Sequence, residues 1–408
     1  MRDEMKKVPR LRFRGFQEDW ELCKLGEESD VRDGTHDSPK YFDDGYPLVT
    51  SKNLKDFGLD LSDVSLISYK DFKSINKRSK VDIGDILFGM IGTIGNPVQI
   101  FRDDFAIKNV ALIKEQRKIL NGFLIHILKS PVFDRYIRNE NAGGTQKFLA
   151  LSKVRGFEFL RPNIEEQVRI GNLFKQIDNT ITLHQRKLDQ LKELKKAYLK
   201  AMLISMNTKN NKVPKLRFAD FEGEWDQRKF KAFSKKTGKK NSQNLNYPAY
   251  SVSNKSGLIS QSEQFNGNRL DTLEKHSYKI VEPYEFAYNP ARINVGSIAF
   301  NTLGKPVIVS SLYVVLQMED NLNNDFILQF IKSPAFVREV KRNTEGSVRE
   351  YLFYENFANI KFPYTKNIKE QQKIGAFFKK SDDTIALRQN KLNQLKALKK
   401  AYLQNMFI

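Results

Sequence analysis

The sequence predicts an α+β fold with a pseudo-twofold internal repeat, in which two mixed α/β arms are joined by two long helices that pair as an antiparallel coiled coil. Three observations predict this fold. An opener, VPRLRFRGFQEDW at 8–20, returns as VPKLRFADFEGEW at 213–225. A block of 40 residues that begins at Asn163 returns at Asn367 with 25 identical positions. Between these blocks the two halves have almost no identical residues at matching positions. Each half therefore has similar end blocks and a different segment between them.

The repeat predicts four segments. They are a first arm at 1–162, a central helix at 163–206, a second arm at 207–366 and a C-terminal helix at 367–408. The polar stretch SMNTKNNK at 205–212 is expected to link the halves. A chain of 408 residues is long enough for two domains, each with its own core.

Each arm is predicted to contain a mixed sheet. Short runs rich in Val, Ile, Phe and Tyr, such as YPLVTS and DILFGMIGTIG, alternate with Gly, Pro, Asp and Asn. One amphipathic helix follows in each arm, at Gly122–Ile137 and at Asp325–Val340, with Ser-Pro at matching places. The arms are therefore expected to share a fold although their sequences differ.

The two long helices each begin with the same cap. Asn163 is a good N-cap with Glu166 placed to pair back, and Asn367 and Glu370 repeat the arrangement. A narrow apolar seam follows at three- and four-residue steps, which is typical of a helix that pairs with another helix. The seam residues are Ile181, Leu188, Leu191, Leu194, Tyr198 and Met202, repeated as Ile385, Leu392, Leu395, Leu398, Tyr402 and Met406. The alternative is that each helix packs only on its own arm.

The predicted length of the seam can be compared with one turn of DNA. A seam from residue 175 to 203 is roughly 43 Å long at 1.5 Å per residue. One turn of B-DNA is about 34–36 Å. Such a rod would hold two arms about one helical turn apart on a duplex.

Composition favours a polyanionic partner. The chain has 69 Lys and Arg against 48 Asp and Glu, a formal net charge of +21, with membrane surface as the weaker alternative. No apolar run approaches 18 residues, and the N-terminal residues do not resemble a signal peptide. Cys23 is the only cysteine, which excludes disulfides and Cys-rich zinc sites. We therefore expect a soluble cytoplasmic protein.

Catalytic motifs are missing. The adenine-methylase pattern of Asn or Asp, two prolines and an aromatic residue does not occur, since Asn96-Pro97 and Asn289-Pro290 are followed by Val and Ala. The glycines before Lys305 are too widely spaced for a phosphate loop. The four histidines are scattered without a Cys partner, so no metal site is expected. The chain is predicted to have no catalytic residues and to bind no cofactor.

In the order of its motifs, the chain resembles the specificity (S) subunits of Type I restriction–modification systems, the HsdS family. The resemblance covers essentially the whole chain. It is carried by the two openers, by the two Lys-rich helices and by segments of both arms. These segments are DGTHDSPKYFDDGYPLVTSKNL at 33–54, GDILFGMIGTIG at 84–95, GGTQKFL at 143–149 and YNPARINVGSI at 288–298.

The resemblance implies a non-catalytic reader of double-stranded DNA. In that family two target-recognition domains each read one half of a bipartite site, and the paired helices space them and dock two modification (methyltransferase) subunits. Restriction/translocase subunits join the assembled complex. S-adenosylmethionine, ATP and magnesium are then expected on the partner subunits. Because the two arms differ so much, the target is expected to be asymmetric.

Candidate DNA contacts are Asn, Thr, Ser, His and basic residues on loops bounded by Gly or Pro, where side chains can reach a groove. The first-arm candidates are Thr35, His36, Lys40, Ser51, Lys52 and Asn53, with Thr93 and Lys108 as lesser ones. The second-arm candidates are Ser253, Asn254, Lys255, Arg292 and Asn294. Arg292 and Asn294 flank Ile293 and are predicted to project from one face of a strand toward base edges. The alternative is that these are solvated turn residues.

Three questions stay open at this point. The basic run of Lys235, Lys236, Lys239 and Lys240 suits phosphate contacts or plain surface better than base readout. The segments 165–174 and 369–378 could dock the modification subunits or could pack each arm on its helix. Two other classes of protein compete with the DNA reader: a self-contained nuclease or methylase, and a structural coiled-coil connector.

Overall fold

The computed structural model describes residues 7–55, 58–116, 118–140, 148–204, 212–254, 257–261, 275–344 and 351–408. The predicted linker, apart from Lys212, and residues 143–147 of the GGTQKFL motif lie outside them. The chain divides into two compact units, unit 1 at 1–186 with 389–408 and unit 2 at 187–388. Each unit thus holds one arm, the first part of one long helix and the last part of the other. Where the arms end as recognition domains stays a prediction.

Unit 1 builds its arm from short strands. They are β1 Glu21–Lys24, β2 Val31–Asp33, β3 Tyr41–Phe42, β4 Tyr46–Val49, β5 Leu54–Lys55, β6 Gly58–Leu59, β7 Ser65–Ile67, β8 Ile86–Gly89, β9 Gly95–Gln99, β10 Ala106–Ile107, β11 Val110–Ile113 and β12 Glu158–Arg161. One sheet has the order β2-β11-β8-β9, a second has the order β10-β4-β7-β3, and β1 pairs with β12. The β4–β10 pair is parallel and the other strand pairs are antiparallel, so the second sheet is mixed as predicted, whereas the first is antiparallel throughout. Strands β8 and β11 are buried along their whole length, because both faces are covered.

Unit 2 repeats the main sheet with different residues. Its strands are β13 Asp226–Lys229, β14 Ser234–Lys236, β15 Tyr250–Ser253, β16 Gly257–Ser260, β17 Lys279–Val281, β18 Phe286–Tyr288, β19 Ile298–Phe300, β20 Val307–Val309, β21 Val314–Met318 and β22 Lys361–Tyr364. The order β14-β21-β18-β19 matches that of the first sheet of unit 1, and β13 pairs with β22 as β1 pairs with β12. The prediction of a shared arm fold is confirmed. The strand pairs of unit 2 are all antiparallel in the described residues, so the mixed sheet predicted for the second arm is wrong.

The helices follow the repeat as well. They are α1 Leu25–Glu28, α2 Tyr69–Ser79, α3 Asn121–Leu128, α4 Pro131–Glu140, α5 Leu151–Arg155, α6 Ile164–Leu199, α7 Asn324–Ile331, α8 Pro334–Asn343, α9 Tyr354–Asn359 and α10 Ile368–Asn405. A π-helical turn, Lys200–Ile204, continues α6. The single amphipathic helix predicted in each arm is wrong, because Pro131 and Pro334 each start a second helix. Proline has no N–H to continue the preceding helix, and it fits the first turn of a new one.

Each unit has an aromatic core closed by the end of a long helix. In unit 1, Trp20 packs edge-on against Phe123 with ring centroids 6.0 Å apart, and Phe407 reaches the same core. In unit 2, Trp225 packs edge-on against Phe326 at 5.9 Å, and Met202 joins that core. Both openers thus end on a tryptophan that anchors them in the core.

Within each unit the two long helices lie antiparallel. In unit 1, Lys399 Nζ lies 2.5 Å from Asp178 Oδ1, and in unit 2, Lys195 Nζ lies 2.5 Å from Asp382 Oδ1. The two lysines are repeat counterparts, and so are the two aspartates. Both pairs therefore fit one antiparallel register, which confirms the predicted pairing of the helices.

The seam itself differs from the prediction at one position in each helix. Leu188 and Leu392 are buried, and so are Met202 and Met406. Half-buried positions are Ile181, Leu191, Tyr198, Ile385, Leu395 and Tyr402. Leu194 and Leu398, however, are 49% and 43% exposed, so their assignment to the seam is wrong. At about 100° per residue Leu194 lies about 120° around the helix from Leu188, and the ion-paired Lys195 takes the inner place.

Candidate nucleic-acid interface

In unit 1 the loop after β2 carries the first predicted contacts, and its base is fixed. Gly34 runs so close to Ile107 that an added Cβ would lie 2.4 Å from the Ile107 carbonyl oxygen. The Thr35 N–H donates to that same oxygen at 3.0 Å. His36 and Lys40 are exposed beyond this base, whereas Thr35 is half-buried. The loop therefore presents exposed tips from a rigid base.

His36 is held between two oxygen acceptors. Its Nε2 lies 2.8 Å from Asp33 Oδ2, and its Nδ1 lies 2.8 Å from Asn109 Oδ1. Only a protonated imidazole donates from both nitrogens. These hydrogen bonds, with Asn109 the larger cause and Asp33 the next, raise the pKa of His36 above its ordinary 6.5. Arg78 also donates to Asp33 at 2.5 Å, so positive charge gathers at the base of the loop.

Lys108 and Thr93 have different surroundings. Lys108 lies opposite Thr35 in a parallel bridge, and its Nζ donates to Ser38 Oγ at 2.5 Å. It therefore helps to hold the Thr35–Lys40 loop. Thr93 is exposed in the turn between β8 and β9, where Gly92 adopts a positive φ of 74°.

The Ser51–Asn53 candidates form a 3₁₀ turn, and two of them are not available to DNA. Asn53 is 2% exposed. Its Oδ1 accepts from the Thr50 N–H at 3.0 Å, and its Nδ2 donates to the carbonyls of Asp60 and Asp63 at 3.0 and 3.2 Å. Ser51 is 8% exposed. Their assignment as DNA contacts is wrong because both side chains are buried and Asn53 closes a loop, while Lys52 remains exposed beside Asp63.

A basic cleft next to the His36 loop was missed by the sequence reasoning. It measures about 520 Å³ and is lined by Arg32, Asp33, Lys77, Arg78 and Arg155. Its lining carries more positive than negative side chains. The signal was the basic end of α2, where KRSK stands at 77–80.

In unit 2 the structure brings the two predicted clusters together. A Cβ added to Gly296 would lie 3.8 Å from the Asn254 carbonyl oxygen, and Ser297 Oγ donates to the Val252 carbonyl at 2.9 Å. Ser253 is half-buried and Asn254 is exposed. Lys255 lies outside the described residues. The turn after β15 and the turn before β19 thus lie side by side.

Arg292 and Asn294 do not share a strand face, so that prediction is wrong. Residues Ile293–Val295 form a 3₁₀ turn, with Arg292 at its N-cap, and the left-handed Gly296 ends it. With about three residues per turn, residues two apart point in different directions. Arg292 is exposed and Asn294 is half-buried.

The start of each long helix packs against its arm and opener. Asn163 accepts from the Glu166 N–H at 2.9 Å, so the predicted N-cap is present. The Glu166 carboxylate does not pair back. It instead accepts two hydrogen bonds from Arg12 of the opener, both at 2.8 Å. In unit 2, Arg217 and Glu370 form the same pair at 2.6 and 2.8 Å.

Four side chains at each helix start are not available to a partner subunit. Fully buried positions are Glu166, Gln167, Ile170 and Phe174, with their counterparts Glu370, Gln371, Ile374 and Phe378. The docking prediction for these side chains is wrong, and the alternative, packing of the arm on its helix, accounts for them.

Reactive groups are scarce in the described ranges. Burial raises the pKa of the Cys23 thiol to about 12, and its Sγ donates to the Phe159 carbonyl at 3.3 Å, both of which disfavour the thiolate. Searching the described residues finds no group of His, Cys, Asp and Glu arranged to hold a metal ion. The described helices include none with the length and apolar character needed to cross a membrane.

Comparison with known proteins identifies the family. The profile of the Type I restriction modification DNA specificity domain matches residues 17–193 and 224–397. The EcoBI specificity subunit of Escherichia coli is 32% identical over 138 residues, which cover 33% of this chain and 29% of that subunit. A putative MjaX specificity subunit of Methanocaldococcus jannaschii is 21% identical over 94% of this chain and 91% of its own length.

Solved structures agree on the fold. The S subunit of a Type I system from M. genitalium aligns with a TM-score of 0.66 at 14% identity, over 98% of this chain and 99% of that one. A chain from a structure of the type I R-M system aligns with a TM-score of 0.51 at 14% identity, over 94% and 96%. The profile matches both halves and more than half of the chain, so this protein belongs to the family of Type I restriction–modification DNA specificity subunits.

Proposed function

We propose that this chain is the non-catalytic DNA-recognition subunit of its complex, and that each arm reads one half of an asymmetric, bipartite site. One observation carries the proposal. The sheet order β2-β11-β8-β9 returns as β14-β21-β18-β19, while the loops that leave these sheets carry unrelated side chains. A common scaffold with different loops suits one kind of ligand with two different sequences.

Charge supports DNA as the ligand. The formal net charge of +21 provides the phosphate attraction on which protein–DNA affinity depends. The exposed candidate contacts are His36, Lys40, Lys52 and Thr93 in unit 1, and Asn254 and Arg292 in unit 2. These six replace the longer set predicted from sequence as the first targets for mutation.

The long helices are proposed to dock two modification subunits. Unit 1 exposes Leu183 and Leu398, and unit 2 exposes their repeat counterparts Leu387 and Leu194, each between 43% and 70% exposed. A partner that covers an exposed leucine removes apolar surface from water, which favours binding at these positions. Because both units expose the same pair, two copies of one partner fit. S-adenosylmethionine, ATP and magnesium are assigned to the modification and restriction/translocase subunits.

The decisive experiment is a genome-wide map of N6-methyladenine. Cells that carry this chain with its modification subunit are compared with cells that lack only this chain. We expect a gapped, asymmetric motif that disappears with the chain. Unchanged methylation, together with failure of the purified complex to select DNA, would refute the proposal and favour a connector. Methyl transfer by the isolated chain would instead refute the non-catalytic assignment.

An arm exchange tests the division of labour. Replacing residues 1–162 by the corresponding arm of a relative is expected to change one half of the methylated motif and leave the other half intact. A change in both halves, or in neither, contradicts two independent readers.

A further inference from the structure

The edge strands of the two main sheets end at the same register. In unit 1, β2 pairs Asp33 with Ala111 of β11, and the Gly34 N–H then donates to the Val110 carbonyl at 3.0 Å. In unit 2, β14 pairs Lys236 with Leu316 of β21.

The next residue of unit 2 continues the correspondence. The Thr237 N–H donates to the Val315 carbonyl at 2.9 Å. Thr237 therefore corresponds to Gly34. In the same count, Lys239 of the following loop corresponds to His36, and Lys240 corresponds to Asp37.

The unit 2 loop is fixed in position as its counterpart is. Gly238 has a positive φ of 82°, and a Cβ there would lie 2.6 Å from the Val315 side chain. Only glycine fits this close approach. The Ile280 N–H then donates to the Lys239 carbonyl at 2.8 Å, so the loop is tied to β17.

The loop and β17 bring lysines together. Lys240 lies directly opposite Lys279 in an antiparallel bridge. Like charges opposite each other on adjacent strands are destabilising. Burial lowers the pKa of Lys279, and the nearby Lys236 and Lys240 lower it further.

Counter-charge for this cluster is sparse. Lys236 Nζ lies 3.3 Å from Glu355 Oε1, and both of these side chains are exposed. Lys279 Nζ donates to the Tyr313 carbonyl at 2.6 Å. Within the described part of unit 2, Lys239 and Lys240 have no ion-pair partner. A cluster of lysines with so few acidic neighbours is suited to bind an external anion.

We propose that Lys239, Lys240 and Lys279 form a phosphate-binding ledge that holds the DNA backbone against the second arm. Ammonium groups donate and do not accept, and they bind phosphate as point charges. The inference rests on the proposed function, because it takes DNA as the polyanion. It assigns to the second arm a contact loop equivalent to the His36 loop of the first.

The test is duplex binding by the full chain in complex with its modification subunit. The double variant Lys239→Gln with Lys240→Gln removes two charges and keeps similar side-chain length. The matched control, Lys361→Gln with Lys366→Gln, removes two charges from exposed positions of the same unit. Affinity is measured by fluorescence anisotropy over about 50 to 200 mM salt, on a target duplex and on a random duplex.

We expect the slope of log affinity against log salt to fall by about 0.9 for each lost phosphate contact, or about 1.8 for both. Near 0.1 M salt this corresponds to roughly tenfold to sixtyfold weaker binding, equal for both duplexes. The control variant should keep the wild-type slope, and Lys239→Arg with Lys240→Arg should restore it.

The outcomes separate the ledge from the proposed function. If the wild-type complex shows no salt-dependent duplex binding, the proposed function fails. If the wild type binds and the double glutamine variant, with an unchanged melting temperature, keeps its slope, only the ledge fails. A loss confined to the target duplex would mean base contact and would also overturn the phosphate assignment. Unchanged affinity with new self-association would show instead that these lysines protect a sheet edge.

Discussion

Replacing Arg217 by methionine removes one partner of a buried ion pair and keeps most of the side-chain volume. Glu370 is fully buried, and Arg217 is 12% exposed. Besides its two bonds to Glu370, the guanidinium donates to the carbonyls of Glu222 and Gly223 at 2.8 and 2.7 Å. The substitution therefore frees the opener and leaves a carboxylate without its counter-charge. Such a change costs roughly 3–5 kcal/mol.

The two tryptophans allow this cost to be measured in each unit. The chain has two, Trp20 in unit 1 and Trp225 in unit 2, and both are buried. In a Trp20→Phe background, fluorescence reports the unfolding of unit 2. We expect Arg217→Met to lower the urea midpoint of that transition by roughly 1–5 M, because a loss of about 3–5 kcal/mol is divided by a slope of about 1–3 kcal/mol per molar. Arg12→Met should do the same to unit 1 when it is followed by Trp20 in a Trp225→Phe background.

A double variant tests the cause. Arg217→Met with Glu370→Gln removes both charges, so it should recover a large part of the lost stability. A loss below about 1 kcal/mol for Arg217→Met alone would refute the reasoning. So would a double variant that is no more stable than the single one.

Three further predictions concern the site and the helices. The folded pKa of His36 is raised, so its contribution to stability is fully present below pH 6.5 and is lost as pH rises through the folded pKa. The urea midpoint of unit 1 should therefore fall between about pH 6 and pH 8 more in the wild type than in His36→Gln, and equal falls would contradict the link. Asn53→Ala should destabilise unit 1 by about 1–3 kcal/mol in the same assay, because it leaves the Thr50 N–H and the carbonyls of Asp60 and Asp63 without a hydrogen-bond partner. An unchanged midpoint would show that these bonds are not needed. Leu194→Asp with Leu398→Asp should weaken assembly with the modification subunit, measured by light scattering, at an unchanged melting temperature. Normal assembly would place docking elsewhere.

The openers and the long helices were predictable because each of them occurs twice in the sequence. The repeat located both openers and both helix caps, and the cap bond from Glu166 to Asn163 is present at 2.9 Å. Antiparallel pairing also followed from the repeat, and the Lys399–Asp178 contact bears it out. Such features depend on local pattern or on symmetry, which a sequence displays directly.

The details of the site were harder because they depend on distant residues. Asn53 was predicted to face DNA on the strength of its type and its loop, yet its partners Asp60 and Asp63 come seven and ten residues later. Leu194 fits a three- or four-residue step, but repeated steps of three drift around the helix. Arg292 was placed on a strand where the chain forms a 3₁₀ turn, because Gly296 imposes a left-handed end.

The residues that are identical in the two long-helix blocks include a first group that is buried and a second group that is exposed. Gln167 is one of the first group: it accepts from the Leu120 N–H and donates to the carbonyls of Lys118 and Pro162. Its counterpart Gln371 makes three equivalent bonds to the second arm.

The glycines of the same block behave alike. A Cβ at Gly171 would lie 2.8 Å from the Gly122 carbonyl oxygen, and one at Gly375 would lie 2.8 Å from the Phe326 nitrogen. Each helix start therefore passes too close to its arm for a side chain. Packing inside the unit is enough to explain why these residues occur twice.

The second group is exposed, and packing does not explain it. Leu183 and Leu194 recur as Leu387 and Leu398 in the same repeat, although all four leave apolar surface in water. A repeat that kept only what its own fold requires would have no reason to keep them. Packing inside each unit thus accounts for the first group only. An exposed surface that both units share supports the proposed docking of two copies of one modification subunit, rather than a contact with DNA, whose two half-sites are proposed to differ.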